Sequence, residues 1–222
     1  PLIMGIDSLS TPLHQAVKKL CEGPDGLYYA LLFQGGITCF DKDIEKFLPV
    51  RFDKPLELKD ILDFCWNDGS LYLVTSQGLF ESRIVRKTEG KHDFVLCLLN
   101  PEPVVRGKVA HLCSDGKTNL YFSVNQRKVV HYDLVAKKTS LIKEYSVVNR
   151  LFLRHGYVWI CRLWDDIICY DLKTNEERVI SMEGKDQSEF SNSYVTDLVL
   201  KDNRTFYLTT WNGLYALRFD ND

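Results

Sequence analysis

Apolar residues recur along the 222-residue chain in five similar units. Each unit begins with a branched apolar residue, carries a second apolar residue three positions later, and has an aromatic residue 11 or 12 positions from its start. The starting and aromatic residues are Val17 and Tyr28, Ile61 and Tyr72, Val109 and Tyr121, Val148 and Trp159, and Val195 and Tyr207. The aromatic residue returns at intervals of 44, 49, 38 and 48 residues. This spacing indicates an internal repeat of about 45 residues.

Turn-forming residues divide each unit into short strands. Asn67, Asp68 and Gly69 separate the two apolar clusters of the second unit, and comparable residues do so in the others. Such residues accept the positive φ of a tight hairpin, so each unit is predicted to open as strand, turn, strand. A third strand ends in an aromatic residue and an Asp, as at Tyr132 and Asp133, and a polar stretch then leads to a fourth strand. No window shows a sustained helical period.

The length and strand count of the repeat are those of a propeller blade. We therefore predict an all-β fold, a closed five-bladed β-propeller of four-stranded antiparallel blades. The last unit stops after its third strand, and a strand-like segment at 2–6 precedes the first unit, so the N-terminal strand is predicted to complete the last blade. This gives a single domain, 1–222, with blade cores at about 16–52, 60–100, 108–145, 147–182 and 194–220 plus 2–6. The repeat length alone would also fit an open fragment of a larger propeller.

The repeats at 61–72 (ILDFCWNDGSLY) with 77–80 (QGLF), and at 195–215, resemble those of the β-propeller superfamily. They are closest in style to regulator-type repeats and, more loosely, to WD-like repeats. The third strands end in Phe-Asp or Tyr-Asp where WD repeats have Trp-Asp, and no Gly-His pair precedes the units. The resemblance covers nearly the whole chain. It implies the propeller fold and leaves function open, because propellers serve in catalysis, ligand binding and scaffolding.

Composition and charge exclude several classes of protein. The chain is 45% hydrophobic and 26% charged, and 28 Lys and Arg against 30 Asp and Glu give a net charge of -2. Its longest apolar run, 27–33, has seven residues, against the roughly 20 that a bilayer requires. These values indicate a globular chain with no transmembrane helix and no membrane partner, and the absence of a basic stripe argues against nucleic acid. Because the sequence begins at Pro1, we expect it to be part of a larger chain or complex.

Seven cysteines are present, an odd number without a CxxC pair or a His at zinc-ligand spacing. They are Cys21, Cys39, Cys65, Cys97, Cys113, Cys161 and Cys169. Neither a full disulfide set nor a metal site is predicted. Most have apolar neighbours, so we expect buried free thiols that act as small hydrophobic residues. Because free thiols persist in reducing compartments, the sequence predicts an intracellular protein, cytoplasmic or nuclear.

One position of the repeat carries an ionisable residue in every unit. It lies two residues after the start of the first strand, the strand that lines the channel of a propeller, and is called here the inner-strand charged position. Its residues are Lys19, Asp63, His111, Arg150 and Asp197. We expect them at the mouth of the channel, where they either pair with one another or contact a ligand or a partner's side chain.

The turns between second and third strands supply a second set of candidate contact residues. These turns open on one face of a propeller, called here the top face, together with the connections between blades. The set is Phe33, Gln34, Gln77, Arg127, Trp164, Asp165, Trp211 and Asn212. Trp and Arg dominate interface hot spots, so the set is predicted to bind a partner, unless each Trp packs over its own blade. The long polar connection 183–193, which contains Phe190, reaches the same face.

No catalytic motif is complete. The chain has no GxSxG elbow, no phosphate-binding glycine loop and no Cys beside a His, so neither a cofactor nor a catalytic residue is predicted. We predict a non-enzymatic scaffold or adaptor that binds a protein segment or peptide on its top face. The alternative is a small-molecule or carbohydrate-binding propeller, with Asp63 and Asp197 as the carboxylates of a glycoside hydrolase-like site. The neighbouring cations argue against that site, because they would keep both carboxylates ionised. A purely structural module is a third interpretation.

Overall fold

The computed structural model describes 17–32, 36–42, 45–52, 61–86, 94–163, 166–180, 195–201, 205–210 and 213–218. Twenty β-strands lie in these ranges, and none of the residues described is helical. The described ranges accordingly contain no helix that could cross a membrane. The chain divides into two compact units, an N-terminal unit at 1–110 and a C-terminal unit at 111–222. Each unit has buried hydrophobic clusters of its own.

Blades 1 and 2 lie in the N-terminal unit. Blade 1 consists of β1 (Val17–Glu22), β2 (Tyr28–Leu32), β3 (Ile37–Asp41) and β4 (Lys46–Phe52). Blade 2 consists of β5 (Ile61–Asn67), β6 (Ser70–Thr75), β7 (Gly78–Arg86) and β8 (Phe94–Leu98). Within each blade every strand is antiparallel to the next.

The two blades also share one sheet, which the repeat does not predict. Their outer strands β4 and β8 pair in parallel, with Val50 opposite Phe94. A short strand in the connection that leaves blade 2, β9 (Val105–Arg106), pairs with the start of β7. The exposed edge that an outer strand would otherwise present is therefore covered in blades 1 and 2.

Blades 3 to 5 follow the same order. Blade 3 consists of β10 (Val109–Ser114), β11 (Asn119–Val124), β12 (Lys128–Asp133) and β13 (Lys138–Glu144). Blade 4 consists of β14 (Val148–Arg154), β15 (Tyr157–Arg162), β16 (Ile167–Asp171) and β17 (Glu177–Ile180), and blade 5 contains β18 (Val195–Leu200), β19 (Thr205–Thr210) and β20 (Gly213–Arg218). The fold class is the predicted one, an all-β five-bladed propeller. The segment 2–6, predicted to complete the last blade, lies outside the described residues.

The hairpins that open the blades have the predicted turns. Asp68 and Gly69, between β5 and β6, adopt φ of 44° and 75°. His155 and Gly156, between β14 and β15, adopt φ of 53° and 81°. Two successive residues in the left-handed region give a turn whose twist matches that of the strands it joins.

The recurring aromatic residue of the second strand builds the core. Tyr72, Tyr121 and Trp159 are buried, and Trp159 packs against Phe206 with ring centroids 4.3 Å apart. Burial of an aromatic side chain of this size contributes roughly 1.5–3 kcal/mol to stability. This contact joins the second strands of blades 4 and 5, whereas Tyr28 and Tyr207, at the same repeat position, are only half-buried.

The recurring Asp at the end of the third strand closes a turn. Asp133 Oδ1 accepts hydrogen bonds from the N–H groups of Val135 and Ala136 at 2.8 and 2.9 Å. Asp171 Oδ1 accepts one from Lys173 N–H at 2.7 Å. These bonds favour the ionised form, so the pKa of both carboxyls is lowered. The Tyr-Asp pairs of the repeat are thus explained by turn geometry.

Candidate functional site

On blade 3 the turn between β11 and β12 is fastened to the connection that leaves the blade. Asn125 and Gln126 adopt φ of 53° and 55°, which makes a tight two-residue turn. Arg127 O accepts a hydrogen bond from Tyr145 N–H at 3.0 Å, and Gln126 O accepts one from Val148 N–H at 2.7 Å. We call residues 125–128 with 145–147 the turn-and-linker surface.

Six of the seven residues of this surface are exposed, Tyr145 being half-buried, and among the described residues no anion neutralises its two cations. Arg127 and Lys128 are exposed, and neither makes an ion pair or a side-chain hydrogen bond in the part of the chain that the structure describes. Glu144 lies opposite Lys128 in the strand register without forming an ion pair. Val147 is 39% exposed. The surface therefore offers positive charge and an apolar side chain on a backbone fixed by hydrogen bonds.

Blade 2 has a comparable arrangement at Gln77. This exposed residue lies on the turn between β6 and β7, and its carbonyl accepts a hydrogen bond from Gly107 N–H at 3.2 Å. The connection approaches so closely that a Cβ on Gly78 would lie 2.0 Å from Val105 O. Arg106, in the same connection, forms an ion pair with Glu102. The cation beside Gln77 is therefore neutralised, in contrast to Arg127.

Most of the predicted contact residues lie outside the described residues. These are Phe33, Gln34, Trp164, Asp165, Trp211 and Asn212, together with the connection 183–193 and its Phe190. Gln77 and Arg127 are described, and both are exposed on the turns where the repeat places them. For the whole set, partner binding stays a prediction.

Lys128 and Val147 are not among the contact residues that the sequence predicts. Lys128 follows the predicted Arg127 and begins β12, so its exposure depends on where the turn ends. Val147 is a lone apolar residue in a connection, where no periodic pattern distinguishes an exposed side chain from a buried one. The signal that could have found it is its place one residue before the start of a blade.

The inner-strand charged position coincides with a β-bulge. The pairing register of the first strand shifts there in four blades, at Lys19, Asp63, Arg150 and Asp197. In β10 the equivalent residue, His111, adopts a left-handed φ of 54°. A bulge redirects a side chain and leaves a backbone N–H without a partner in the ladder. The position is therefore special in its backbone as well as in its charge.

At Asp63 and Asp197 the side chain accepts a hydrogen bond from the backbone N–H that the bulge leaves outside the ladder. Asp63 Oδ1 accepts a hydrogen bond from Phe64 N–H, and Asp197 Oδ1 accepts one from Leu198 N–H, each at 2.8 Å. An unsatisfied buried N–H would be destabilising by about 1–3 kcal/mol. Asp at this position is thus explained locally by the bulge.

Lys19 and Asp63, on neighbouring blades, form an ion pair. Lys19 Nζ lies 2.8 Å from Asp63 Oδ1 and also donates to Phe64 O at 2.6 Å. Asp63 is only 5% exposed. Burial works to lower the pKa of Lys19, but the opposite charge of Asp63 outweighs it, and that pKa is raised. These two charges bind each other and fasten β1 to β5.

In the C-terminal unit the equivalent cation and anion do not pair. Arg150 on β14 and Asp197 on β18 belong to neighbouring strands, which are linked by a hydrogen bond of 3.2 Å from Asn149 Nδ2 to Val195 O. Neither charged residue makes an ion pair within the described ranges. Arg150 Nε is buried and has no hydrogen-bond partner in the described part of the chain, whereas Asp197 is exposed. The same repeat position thus forms an ion pair in the N-terminal unit, whereas its two charges in the C-terminal unit are not paired with each other.

The geometry gives little support to the glycoside hydrolase-like alternative. Asp63, one of its two proposed carboxylates, is enclosed and receives hydrogen bonds from Lys19 and Phe64 that favour its ionised form. A general acid needs the opposite environment. In the ranges that the structure describes, no group of three or more His, Cys, Asp or Glu side chains is arranged to hold a metal ion.

The seven cysteines are free thiols. Cys39, Cys161 and Cys169 are buried, and burial raises the pKa of each thiol to about 12. Burial raises the pKa of the half-buried Cys21 to about 11. Because the thiolate is the form that reacts, these thiols are protected by their surroundings.

Comparison with solved structures shows the fold. The extracellular domain of a putative one-component system from B. thetaiotaomicron matches with a TM-score of 0.68 at 14% identity, over 91% of this chain and 28% of that chain. An auxiliary nutrient binding protein from Bacteroides thetaiotaomicron matches with a TM-score of 0.59 at 15% identity, over 92% of this chain and 57% of that one. A chain of the mitotic checkpoint complex matches with a TM-score of 0.62 at 15% identity, over 95% of this chain and 65% of that chain.

These similarities extend to architecture and no further. This chain spans less than two thirds of each of the three matched chains. The sequence matches no protein-family model and no curated protein. Proteins with this architecture have diverse roles, nutrient binding and complex formation among them.

The intracellular location predicted from the free cysteines was wrong. Extracellular domains of bacterial sensor proteins are among the most similar structures, and they point away from that location. The prediction assumed that free thiols require a reducing compartment. Burial, which raises their pKa, protects thiols without one.

Proposed function

We propose that the chain is a non-enzymatic interaction domain that binds a protein segment on the turn-and-linker surface of its top face. The observation that carries this proposal is Arg127, an exposed cation that has no ion-pair partner among the described residues and lies on a turn hydrogen-bonded to the next connection. A partner segment that fits has a carboxylate to meet Arg127 and an apolar side chain to meet Val147.

The rigidity of the surface supports the proposal. Association is opposed by the ordering of loops and side chains, and a backbone already held by hydrogen bonds loses little freedom on binding. Arg is enriched among interface hot spots because its planar guanidinium makes several hydrogen bonds and also packs against apolar groups.

The comparisons are compatible with this proposal and with its alternative. A similar fold occurs in a chain of the mitotic checkpoint complex and in an auxiliary nutrient binding protein. The carbohydrate-binding alternative loses support at Asp63, because Lys19 already occupies that carboxylate. The protein-binding proposal relies on Arg127, whose side chain has no partner among the residues that the structure describes.

The test is affinity capture with the purified chain, followed by binding measurements on each retained protein. Arg127→Glu reverses the charge of the surface, and Val147→Asp removes its apolar contact. We expect a retained partner whose affinity falls at least tenfold in both variants, since a buried charge-assisted hydrogen bond contributes about 1.5–3 kcal/mol. Trp164→Ala with Trp211→Ala tests the remaining predicted contacts.

Lys138→Glu is the matched control. Lys138 is an exposed cation at the start of β13, at the opposite end of the same blade. Its reversal changes the net charge as much as Arg127→Glu does, and it should leave binding unchanged. A partner that binds Arg127→Glu and Val147→Asp as tightly as the unaltered chain would contradict the proposal.

A further inference from the structure

The residues at the inner-strand charged position form an ion pair in the N-terminal unit but not in the C-terminal unit. In the N-terminal unit its cation and anion, Lys19 and Asp63, meet at 2.8 Å. In the C-terminal unit Arg150 and Asp197 occupy the same register on two neighbouring strands and form no ion pair. Opposite charges at a shared repeat position would be expected to close in the same way. Arg150 and Asp197 must therefore differ from Lys19 and Asp63 in their surroundings.

Arg150 is held by packing. It follows the bulge of β14, opposite the buried Cys161 on β15, and its Nε is enclosed without a hydrogen-bond partner. Most buried donors are bonded, so the enclosed Nε leaves Arg150 with an unmet hydrogen-bonding capacity in its own surroundings. The remaining guanidinium nitrogens are not enclosed in the same way and make no hydrogen bond to the residues described. A planar, charged donor group is thus left available.

Asp197 supplies the opposite charge nearby. Its Oδ1 accepts the hydrogen bond from Leu198 N–H that the bulge requires, and its side chain makes no other hydrogen bond within the described ranges. The residue is exposed. Its surroundings are polar, because Thr209 Oγ1 lies 3.4 Å from Asp197 O and 2.8 Å from Thr196 Oγ1. The carboxylate of Asp197 and the hydroxyl of Thr196 therefore lie on the strand next to the guanidinium, and the Thr209 hydroxyl lies on the strand beyond it.

We propose that Arg150 and Asp197 form a binding site for a small carboxylate that carries an amino or hydroxyl group on the adjacent carbon. The guanidinium binds the carboxylate through two parallel N–H donors, a geometry that Arg provides and Lys does not. Asp197 accepts a hydrogen bond from the neighbouring amino or hydroxyl group. The bound ligand would link β14 to β18 through its two polar groups, as the direct ion pair of Lys19 and Asp63 links β1 to β5. The site is separate from the turn-and-linker surface.

The test is isothermal titration calorimetry of the chain at pH 7 with four probes: glycine, lactate, acetate and methylamine. Glycine and lactate carry both groups, whereas acetate has only the carboxylate and methylamine only the cation. We expect saturable binding of glycine or lactate, with acetate at least tenfold weaker and methylamine not bound. Arg150→Gln should abolish binding, and Asp197→Asn should weaken glycine more than acetate.

Arg154→Gln is the control. Arg154 lies at the far end of β14 and is exposed, with a hydrogen bond to Leu153 O. It should bind the probes as the unaltered chain does. Thermal unfolding confirms that each variant is folded. The proposal is overturned if neither glycine nor lactate binds, if binding survives Arg150→Gln in a folded protein, or if acetate binds as tightly as glycine.

Discussion

Lys19 Nζ donates a hydrogen bond to Asp63 Oδ1 across 2.8 Å, from the bulge of β1 to the bulge of β5. The contact joins the inner strands of blades 1 and 2, whose outer strands are joined by the parallel pairing of β4 with β8. A second lysine strengthens the inner link, because Lys18 Nζ donates to Leu62 O at 2.7 Å. Blades 1 and 2 are thus connected at both edges.

Lys19→Met should destabilise the protein substantially. It removes the ammonium that pairs with Asp63, a residue that is only 5% exposed. An uncompensated buried charge costs about 3–5 kcal/mol. Urea unfolding should show this loss, and the double variant Lys19→Met with Asp63→Asn should recover part of it.

The control for that experiment is Lys18→Met. Lys18 is exposed and bonds a backbone carbonyl, so its loss should change the free energy of unfolding by less than about 1 kcal/mol. Equal losses of unfolding free energy in Lys19→Met and Lys18→Met would show that the Lys19–Asp63 ion pair stabilises the protein no more than the exposed Lys18 bond does.

The repeat predicted the blades, the opening hairpins and the Tyr-Asp turns, because each depends on local patterns of apolar and turn-forming residues. The pairing of β4 with β8 was not predictable, since contacts between outer strands leave no period in the sequence. The charges of Lys19, Asp63 and Arg150 were identified as one set, but sequence spacing does not tell which of them meet. That outcome depends on distances of a few ångströms between blades.

Gly78→Ala should be far more destabilising than Gly213→Ala. Both glycines begin a third strand, with φ of 148° and 151°, so both substitutions strain the backbone. A Cβ on Gly78 would also lie 2.0 Å from Val105 O, whereas a Cβ on Gly213 meets nothing within 4 Å. We expect losses of about 3 kcal/mol or more and about 1–2 kcal/mol, respectively, by urea unfolding.

Hydrogen exchange should also distinguish Gly78→Ala from Gly213→Ala. In Gly78→Ala the connection that contains β9 must move, so the amide of Gly107, which donates to Gln77 O, should lose its protection against hydrogen exchange. Similar losses of stability in the two variants would mean that glycine is required at position 78 because of backbone strain at φ near 150°. The close contact with Val105 O would then not be the reason.

Trp66 should tolerate Phe far better than Ala. Its ring meets Tyr29 edge-on, with centroids 5.1 Å apart, and its buried Nε1 has no hydrogen-bond partner among the described residues. Trp66→Phe keeps an aromatic contact and removes the unsatisfied donor, so the change in unfolding free energy should stay within about 1 kcal/mol. Trp66→Ala should cost about 3 kcal/mol by thermal or urea unfolding. A large loss in Trp66→Phe would indicate that the indole nitrogen is bonded to water.

The buried thiols should resist modification in the folded protein. With a pKa of about 12, Cys39, Cys161 and Cys169 hold roughly a thousandfold less thiolate at pH 8 than an ordinary cysteine does. Labelling with a disulfide reagent should reach the half-buried Cys97 and Cys113 first. In urea all seven should react, and in the folded protein oxidised glutathione should leave Cys39, Cys161 and Cys169 free. Rapid labelling of Cys161 under native conditions would contradict this protection.

Glu177 should make stability depend on pH at the contact between blades 3 and 4. It accepts hydrogen bonds from Lys143 Nζ at 2.6 Å and from Tyr145 OH. Burial works to raise the pKa of this carboxyl, but the two donors outweigh it, and the pKa is lowered. A lowered pKa in the folded state means that the contribution to stability is complete above the unfolded value, about 4.3, and is lost as the pH falls through the folded value.

The difference in unfolding free energy between the unaltered chain and Glu177→Gln should therefore be constant near pH 7 and shrink below about pH 4. Glu176→Gln is the control, because this exposed neighbour has no bond to blade 3 and should show no such pH dependence. High salt should reduce the effect only partly, since Lys143 is half exposed whereas Glu177 is mostly enclosed. A difference that persists unchanged at pH 3 would mean that Glu177 stabilises the contact by packing and not by its charge.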